Sequence, residues 1–400
     1  MNKKQEIVPK LRFPEFEVDY NIKFLRGDSL FEPVVNKNHN SDLPLLAITQ
    51  DQGAVPRDQI DYNVTVTKKS LATYKVVEIG DFIISLRSFQ GGIEYSRFKG
   101  ICSPAYIVLR KKRNDVLERY YKYYFKLENY IQKLNRNLEG IRDGKMISYS
   151  QFSTTKIPYP SLREQQKVAD CLSSVDDLIE AESRKLEILK KYKKGFMQKL
   201  FPVEGKTLPE WRFPEFIGGS EWSLKTLGEI CVNYDSLRVP ITEKDRITGN
   251  IPYIGASGII DYIHDFIFND DLLCVSEDGA NLLARTYPIA FGISGKTWVN
   301  NHAHVLKFKF KFTQDIVEAY LNMIDLKDYL TGMAQPKLNR AKLDTIPIPV
   351  PGFDEQQKIA CCLSEIDSLI NAQADKVENL KKHKKGLMQG LFPSLKEADE

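Results

Sequence analysis

IPYPSLREQQKVADCLSSVDDLIEAESRKLEILKKYKKGFMQKLFP occupies residues 157–202, and IPVPGFDEQQKIACCLSEIDSLINAQADKVENLKKHKKGLMQGLFP occupies residues 348–393. The two align without a gap at an offset of 191, with 28 of 46 positions identical. A shorter echo precedes each half, PKLRFPEF at 9–16 and PEWRFPEF at 209–216. The period is far longer than that of a solenoid repeat and marks a duplicated pair of domains. Between the markers, 17–156 and 217–347 are similar in length (140 and 131 residues) but show no ungapped match. Near-identical units therefore alternate with divergent ones.

Each repeated unit reads as one long helix. After a proline-rich lead (Pro158, Pro160; Pro349, Pro351 with Gly352), Pro and Gly are absent from 161 to Gly195 and from 353 to Gly386. Apolar residues recur at heptad spacing. In the first copy the rows are Val168, Val175, Glu182, Leu189, Phe196 and Leu172, Ile179, Leu186, Lys193, Leu200. In the second they are Ile359, Ile366, Gln373, Leu380, Leu387 and Leu363, Ile370, Val377, Lys384, Leu391. The polar interruptions coincide. About 38 residues of helix span roughly 57 Å and cannot bury such a stripe alone, so the natural partner is the other copy. In an antiparallel pair Glu182 and Gln373 are expected to face each other and set the register. The competing reading packs each amphipathic helix on its own domain. The basic runs at 190–195 and 381–386 read first as complements to the helix dipole.

The spacers read as mixed α/β. In the first, 45–48, 81–86 and 105–109 are expected strands and 116–138 a helix; in the second, 252–254, 272–276 and 304–308 are strands and 314–330 a helix. The fold class is accordingly α+β. The expected boundaries are 1–156 for the first domain, 157–202 for its helix, 203–347 for the second domain, 348–393 for its helix and 394–400 for a tail.

Composition excludes several classes. With 42% apolar and 28% charged residues the chain is neither disordered nor collagen-like. No apolar run reaches membrane-span length, and the Met-Asn-Lys-Lys start lacks the apolar stretch of a signal peptide, so a cytoplasmic location is expected. Six cysteines without C-x-x-C spacing suggest neither disulfides nor zinc. The nearest approach to a phosphate loop, Gly295-Lys296-Thr297, has Ala290 where the first glycine belongs. No Pro-Pro pair exists for an adenine-methyltransferase motif. His302 and His304 fit strand alternation better than metal binding, and Asp270-Asp271 and Glu277-Asp278 fit turns better than acid–base pairs.

Polar loops beside strands are better supplied. Residues 85–92, SLRSFQGG, place Arg and Gln, side chains that read guanine and adenine edges, on a permissive backbone. Residues 276–281, SEDGAN, occupy the comparable place in the second spacer. Arg110-Lys111-Lys112-Arg113 is suited to phosphate or to a solvated turn. The first spacer carries 22 basic and 16 acidic residues (net +6), the second 13 and 16 (net −3), so the overall +4 conceals an asymmetry.

Taken together, the doubled proline-rich lead with E-Q-Q-K, the long helix, K-K-x-K-K-G-x-M-Q-x-L-F-P and the upstream R-F-P-E-F resemble the specificity subunit of type I restriction–modification systems. GDFIIS at 80–85 and GKTWVNNHAH at 295–304 fit the same family. The resemblance implies a non-catalytic, double-stranded-DNA-binding subunit. Two target-recognition domains would each read half of a bipartite site, spaced by an antiparallel coiled coil. It also implies two methyltransferase subunits docked on the helices and a translocating restriction subunit joining them. S-adenosylmethionine, ATP and magnesium would belong to those partners, with none held here. DNA contacts are expected from Arg87, Ser88, Phe89 and Gln90 in the first domain and Ser276, Asp278 and Asn281 in the second. Lys145, Lys337 and Asn339 are candidates for phosphate. The coiled-coil interface is expected at Val168, Leu172, Val175, Ile179, Glu182, Leu186 and Leu189, and at Ile359, Leu363, Ile366, Ile370, Gln373, Val377 and Leu380. The alternative class is a protein–protein adaptor, which should lack the steep salt dependence of duplex binding.

Overall fold

A computed structural model describes residues 8–17, 22–39, 42–60, 68–136, 147–203, 205–332 and 335–393. Lys145 and the expected tail lie outside these. Both repeats are continuous 39-residue helices, Leu162–Leu200 and Phe353–Leu391. The chain divides into two compact units, Met1–Ser183 with Lys376–Glu400, and Arg184–Asp375. Each unit thus contains one spacer, the first part of one long helix and the last part of the other. Among the described residues no helix is long and apolar enough to cross a membrane.

The proline-rich leads become strands. Lys156–Tyr159 pairs antiparallel with Lys23–Arg26, and Pro347–Val350 with Ser223–Thr226. Both are two-stranded ribbons, where prolines lacking N–H groups are tolerated. Each spacer is then built on one antiparallel sheet of the same plan. The first unit orders its strands Phe31–Val34, Ile107–Lys111, Phe82–Ile84, Glu94–Tyr95; the second orders Cys231–Asn233, Ala303–Phe308, Leu272–Ser276, Ala290–Ile293. Around that common sheet the units differ. The first adds the ribbons Leu46–Thr49/Gly53–Pro56 and Lys75–Val77/Gly100–Cys102. The second adds a four-stranded sheet, Gly258–Ile263, Thr248–Gly255, Lys296–Val299, Phe268–Asn269, whose middle pair is parallel. The helix expected over 116–138 is two helices, Glu118–Tyr124 and Glu128–Arg136. The break falls where Phe125 turns into the core against Phe31 and Phe82, at ring distances of 5.5 and 5.0 Å.

The heptad rows lie on the covered side of each helix. Val168, Leu172, Ile359, Leu363, Ile366, Gln373 and Val377 are buried, and Val175, Ile179, Glu182, Leu186, Leu189, Ile370 and Leu380 are half-buried. Within each unit the helix segments run antiparallel. In the first, Asp176 meets Lys384 at 2.5 Å and Glu182 meets Lys376 at 2.6 Å. In the second, Lys193 meets Asp367 at 2.5 Å. Lys193 and Asp367 stand 191 residues from Lys384 and Asp176, so one interhelical bond is made twice with the helices exchanging roles. The lysines read as dipole complements are, at these two positions, seam residues. Both packing modes operate at once, because Val168, Ala169 and Leu172 also join the first spacer's core, and Ile359 and Leu363 the second's.

The short R-F-P-E-F echo is explained by a clamp made in each unit. Arg12 grips Glu164 with two bonds of 2.8 and 2.9 Å, and Arg212 grips Glu355 with two of 2.7 Å. These glutamates open the E-Q-Q-K motifs. The next glutamine donates to the proline carbonyl of the lead, Gln165 to Pro160 and Gln356 to Pro351, both at 2.9 Å. The lysines pair with the glutamates of the echo, Lys167 with Glu15 and Lys358 with Glu215. One residue before the arginine, Leu11 N–H donates to Gly390 O and Trp211 N–H to Lys199 O, both at 2.9 Å. Each echo thereby ties the start of one long helix to the last turn of the other.

Candidate nucleic-acid interface

In the first unit the loop after Phe82–Ile84 folds into a one-turn helix, Ser88–Gly91. Serines shape it by bonding their own backbone, as Ser and Thr do in turns. Ser88 Oγ accepts from Ser85 N–H at 2.8 Å, and Ser85 Oγ accepts from Arg87 N–H at 3.2 Å. Ser88 is therefore buried and occupied, and Phe89 packs its ring on the core. Neither is presented as a reading group, contrary to expectation, because the Ser88 hydroxyl closes the turn and the Phe89 ring is taken up by the core. Arg87 and Gln90 are exposed.

A third residue joins them from a different element. Gln50, at the tip of the Leu46–Thr49/Gly53–Pro56 hairpin, donates to Gln90 Oε1 at 3.3 Å and to Arg87 O at 3.5 Å. Beneath it Lys126 donates to Gln50 O at 2.8 Å and to Glu94 Oε1 at 2.6 Å. Burial pushes the Glu94 carboxyl up to about 7 despite the Lys126 charge. A carboxyl whose folded pKa lies above its ordinary 4.5 binds its proton more tightly folded than unfolded. Stability must then fall as pH rises from about 4.5 to about 7 and level off above, by an amount on the order of 3 kcal/mol. Thermal melts of Glu94→Gln should lack that component of the wild-type decline, and an unaltered pH profile would show that Glu94 titrates normally.

The basic run is not free for phosphate. Arg110 bonds Asp81 at 2.8 and 2.7 Å, Lys111 pairs with Glu118, Lys112 donates to Asp28 O, and Arg113 pairs with Asp115.

In the second unit the equivalent loop is more enclosed. Ser276 is buried and donates to Ala256 O at 2.6 Å. Asn281 is buried too; its amide donates to Tyr287 O, and its oxygen accepts from Thr286 N–H, Thr286 Oγ1 and Tyr287 N–H. Asn339 caps the helix Arg340–Asp344 by accepting from Lys342 N–H at 3.0 Å. These three shape the backbone rather than offer groups to a ligand, the usual competition of Ser and Asn side chains for nearby main chain. Asp278 remains half-buried beside His302 Nδ1 at 2.8 Å, and exposed Lys337 reaches Glu277 at 3.2 Å.

Sequence reading missed the polar cluster below this loop. Glu277 takes Arg238 at 2.7 Å, and buried His304 has Nδ1 2.6 Å from Asp235 and Nε2 2.7 Å from Leu338 O. Burial favours the neutral Glu277, but Arg238, His304 and Lys337 outweigh it and hold the carboxyl below its ordinary range. Strand alternation does not relate the two histidines: His304 is buried within the strand Ala303–Phe308, whereas His302 is exposed in the turn before it. Nothing in the spacing announced Arg238 or Asp235, which arrive from a separate loop. Among the described residues no group of three or more potential ligands could hold a metal.

Comparison with known proteins follows the same division. The type I restriction modification DNA specificity domain matches this chain twice, over residues 24–191 and 219–381. A Methanocaldococcus jannaschii protein named as the MjaX specificity subunit of a type I restriction enzyme is 27% identical, over 97% of this chain and 96% of that one. A Haemophilus influenzae protein named as a type I restriction enzyme specificity subunit is 34% identical over 155 residues, 39% of this chain and 40% of that one. The crystal structure of a type I restriction–modification S subunit from M. genitalium superposes with a TM-score of 0.60 at 17% identity, covering 97% of this chain and all of that one.

Proposed function

Because the chain belongs to the type I restriction–modification DNA specificity family, and is a non-catalytic specificity subunit with two target-recognition domains, we propose that each domain reads one half of a bipartite duplex target and that the paired helices dock methyltransferase subunits. One observation carries the first part. Both units build the same four-strand sheet in the same order, yet the loop after the third strand is different in each, Arg87-to-Gln90 in one and Glu277-to-Asn281 in the other. A common scaffold with unlike loops is what reading unlike sequences requires, since the scaffold positions and the loops specify. The second part is supported by the duplicated helices. Equivalent surfaces on one chain suit two copies of one partner. We assign S-adenosylmethionine, ATP and magnesium to those partners and to a restriction subunit, not to this chain.

Exchanging residues 23–159 for the counterpart of a relative with a different target tests this reading. Methylated sites mapped in cells carrying the chimera should change in one half of the motif only. A change in both halves, or in neither, overturns it.

A further inference from the structure

We propose that Gln50 and Gln90 act together as the adenine-reading pair of the first recognition domain; this rests on that domain being a reader of one half-site. Gln50 lies 40 residues upstream of Gln90, on another hairpin, yet the two amides bond head to tail at 3.3 Å at the exposed surface. The Gln50 amide group has spent its two N–H bonds on Gln90 Oε1 and Arg87 O. Its own oxygen and both N–H groups of Gln90 then remain to face outward. A donor beside an acceptor complements the adenine edge in the major groove, where N7 accepts and N6 donates.

The structure holds this pair in place before any ligand arrives. Lys126 anchors the Gln50 main chain at 2.8 Å and is itself fixed by Glu94 at 2.6 Å. Gly91 leaves room for the Gln50 stem, since a Cβ there would stand 2.6 Å from Gln50 Cγ. An amide pair fixed this way loses little rotamer freedom on binding, which is how preorganisation strengthens recognition.

The test uses the full chain in its methyltransferase complex. Methylated sites are mapped in cells carrying wild type, Gln50→Ala, Gln90→Ala or Gly91→Ala, and duplexes carrying each base in turn across the half-site are titrated with the purified complexes. All three variants should relax the same adenine position, with discrimination there falling roughly 10- to 100-fold, while the half read by the second domain is unchanged. Should a variant lose methylation altogether, the duplex titration decides by the same criterion. Wild-type discrimination at every position in Gln50→Ala and Gln90→Ala overturns the pair. If the domain exchange still alters one half-site while these variants do not, the pair fails and the two-reader assignment stands; if the exchange also leaves the motif intact, the two-reader assignment itself has failed.

Discussion

Arg212→Ala is expected to lower the stability of the second unit by about 3–5 kcal/mol, the scale for stranding one member of a buried ion pair. Glu355 is 2% exposed, and its two oxygens are held by Arg212 at 2.7 Å each and by Trp222 Nε1 at 3.1 Å. Without the guanidinium, a buried carboxylate keeps only the indole. Arg212 also donates to Gly219 O and Ser220 O, which lose their partner too. Hydrogen exchange should show faster opening in Phe353–Leu363 and in the ribbon of Ser223–Thr226, with the equivalent strand Lys23–Arg26 of the first unit unaffected. Replacing both partners with apolar residues, Arg212→Met with Glu355→Leu, should recover much of the loss, because no charge is then left buried. A single variant costing under about 1 kcal/mol would show that the clamp is solvated and weak.

Phe392→Ala should destabilise the first unit, not the domain that precedes it in the chain, by about 3–5 kcal/mol. Phe392 is 3% exposed, with its ring 4.9 Å from Tyr120 and 5.8 Å from Tyr124, inside the aromatic core that includes Phe125 and Phe31. The equivalent Phe201 sits 5.6 Å from Tyr320 and 6.3 Å from Trp222 in the other unit. Phe201→Ala should therefore destabilise the second unit. Exchange protection over Glu118–Tyr124 reads the first effect and protection over Lys311–Met323 the second. If Phe392→Ala loosened the second unit instead, the crossed packing of the helix ends would be refuted.

The long helices were legible because heptad periodicity is a local property repeated over ten turns, and its polar exceptions coincide in both copies. The central strands were legible for a similar reason, as Leu272–Ser276 is a short apolar run that any sheet would bury. The loops proposed to read DNA were only half legible. Arg87 and Gln90 stand out by side-chain type and are indeed exposed, but Ser88, Ser276, Asn281 and Asn339 have the same polar character and spend it on backbone. Whether a short polar side chain faces solvent or its own turn depends on φ and ψ within that turn, which composition does not encode. Gln50 was invisible because its relation to Gln90 is a contact across 40 positions, made where a separate hairpin meets a one-turn helix.

By itself, the amino-acid order determined that this protein is a duplicated scaffold carrying two unlike domains, since identity at a fixed offset and seam residues at a fixed spacing survive translation into any structure. Only the tertiary structure decided what the echoes are for. Arg12 meets Glu164, Leu11 meets Gly390, and Phe392 completes the core of the first unit, each across 150 to 380 positions. Such pairings follow from how sheets and helices close around a core, and a helix end long enough to leave its own domain can finish another.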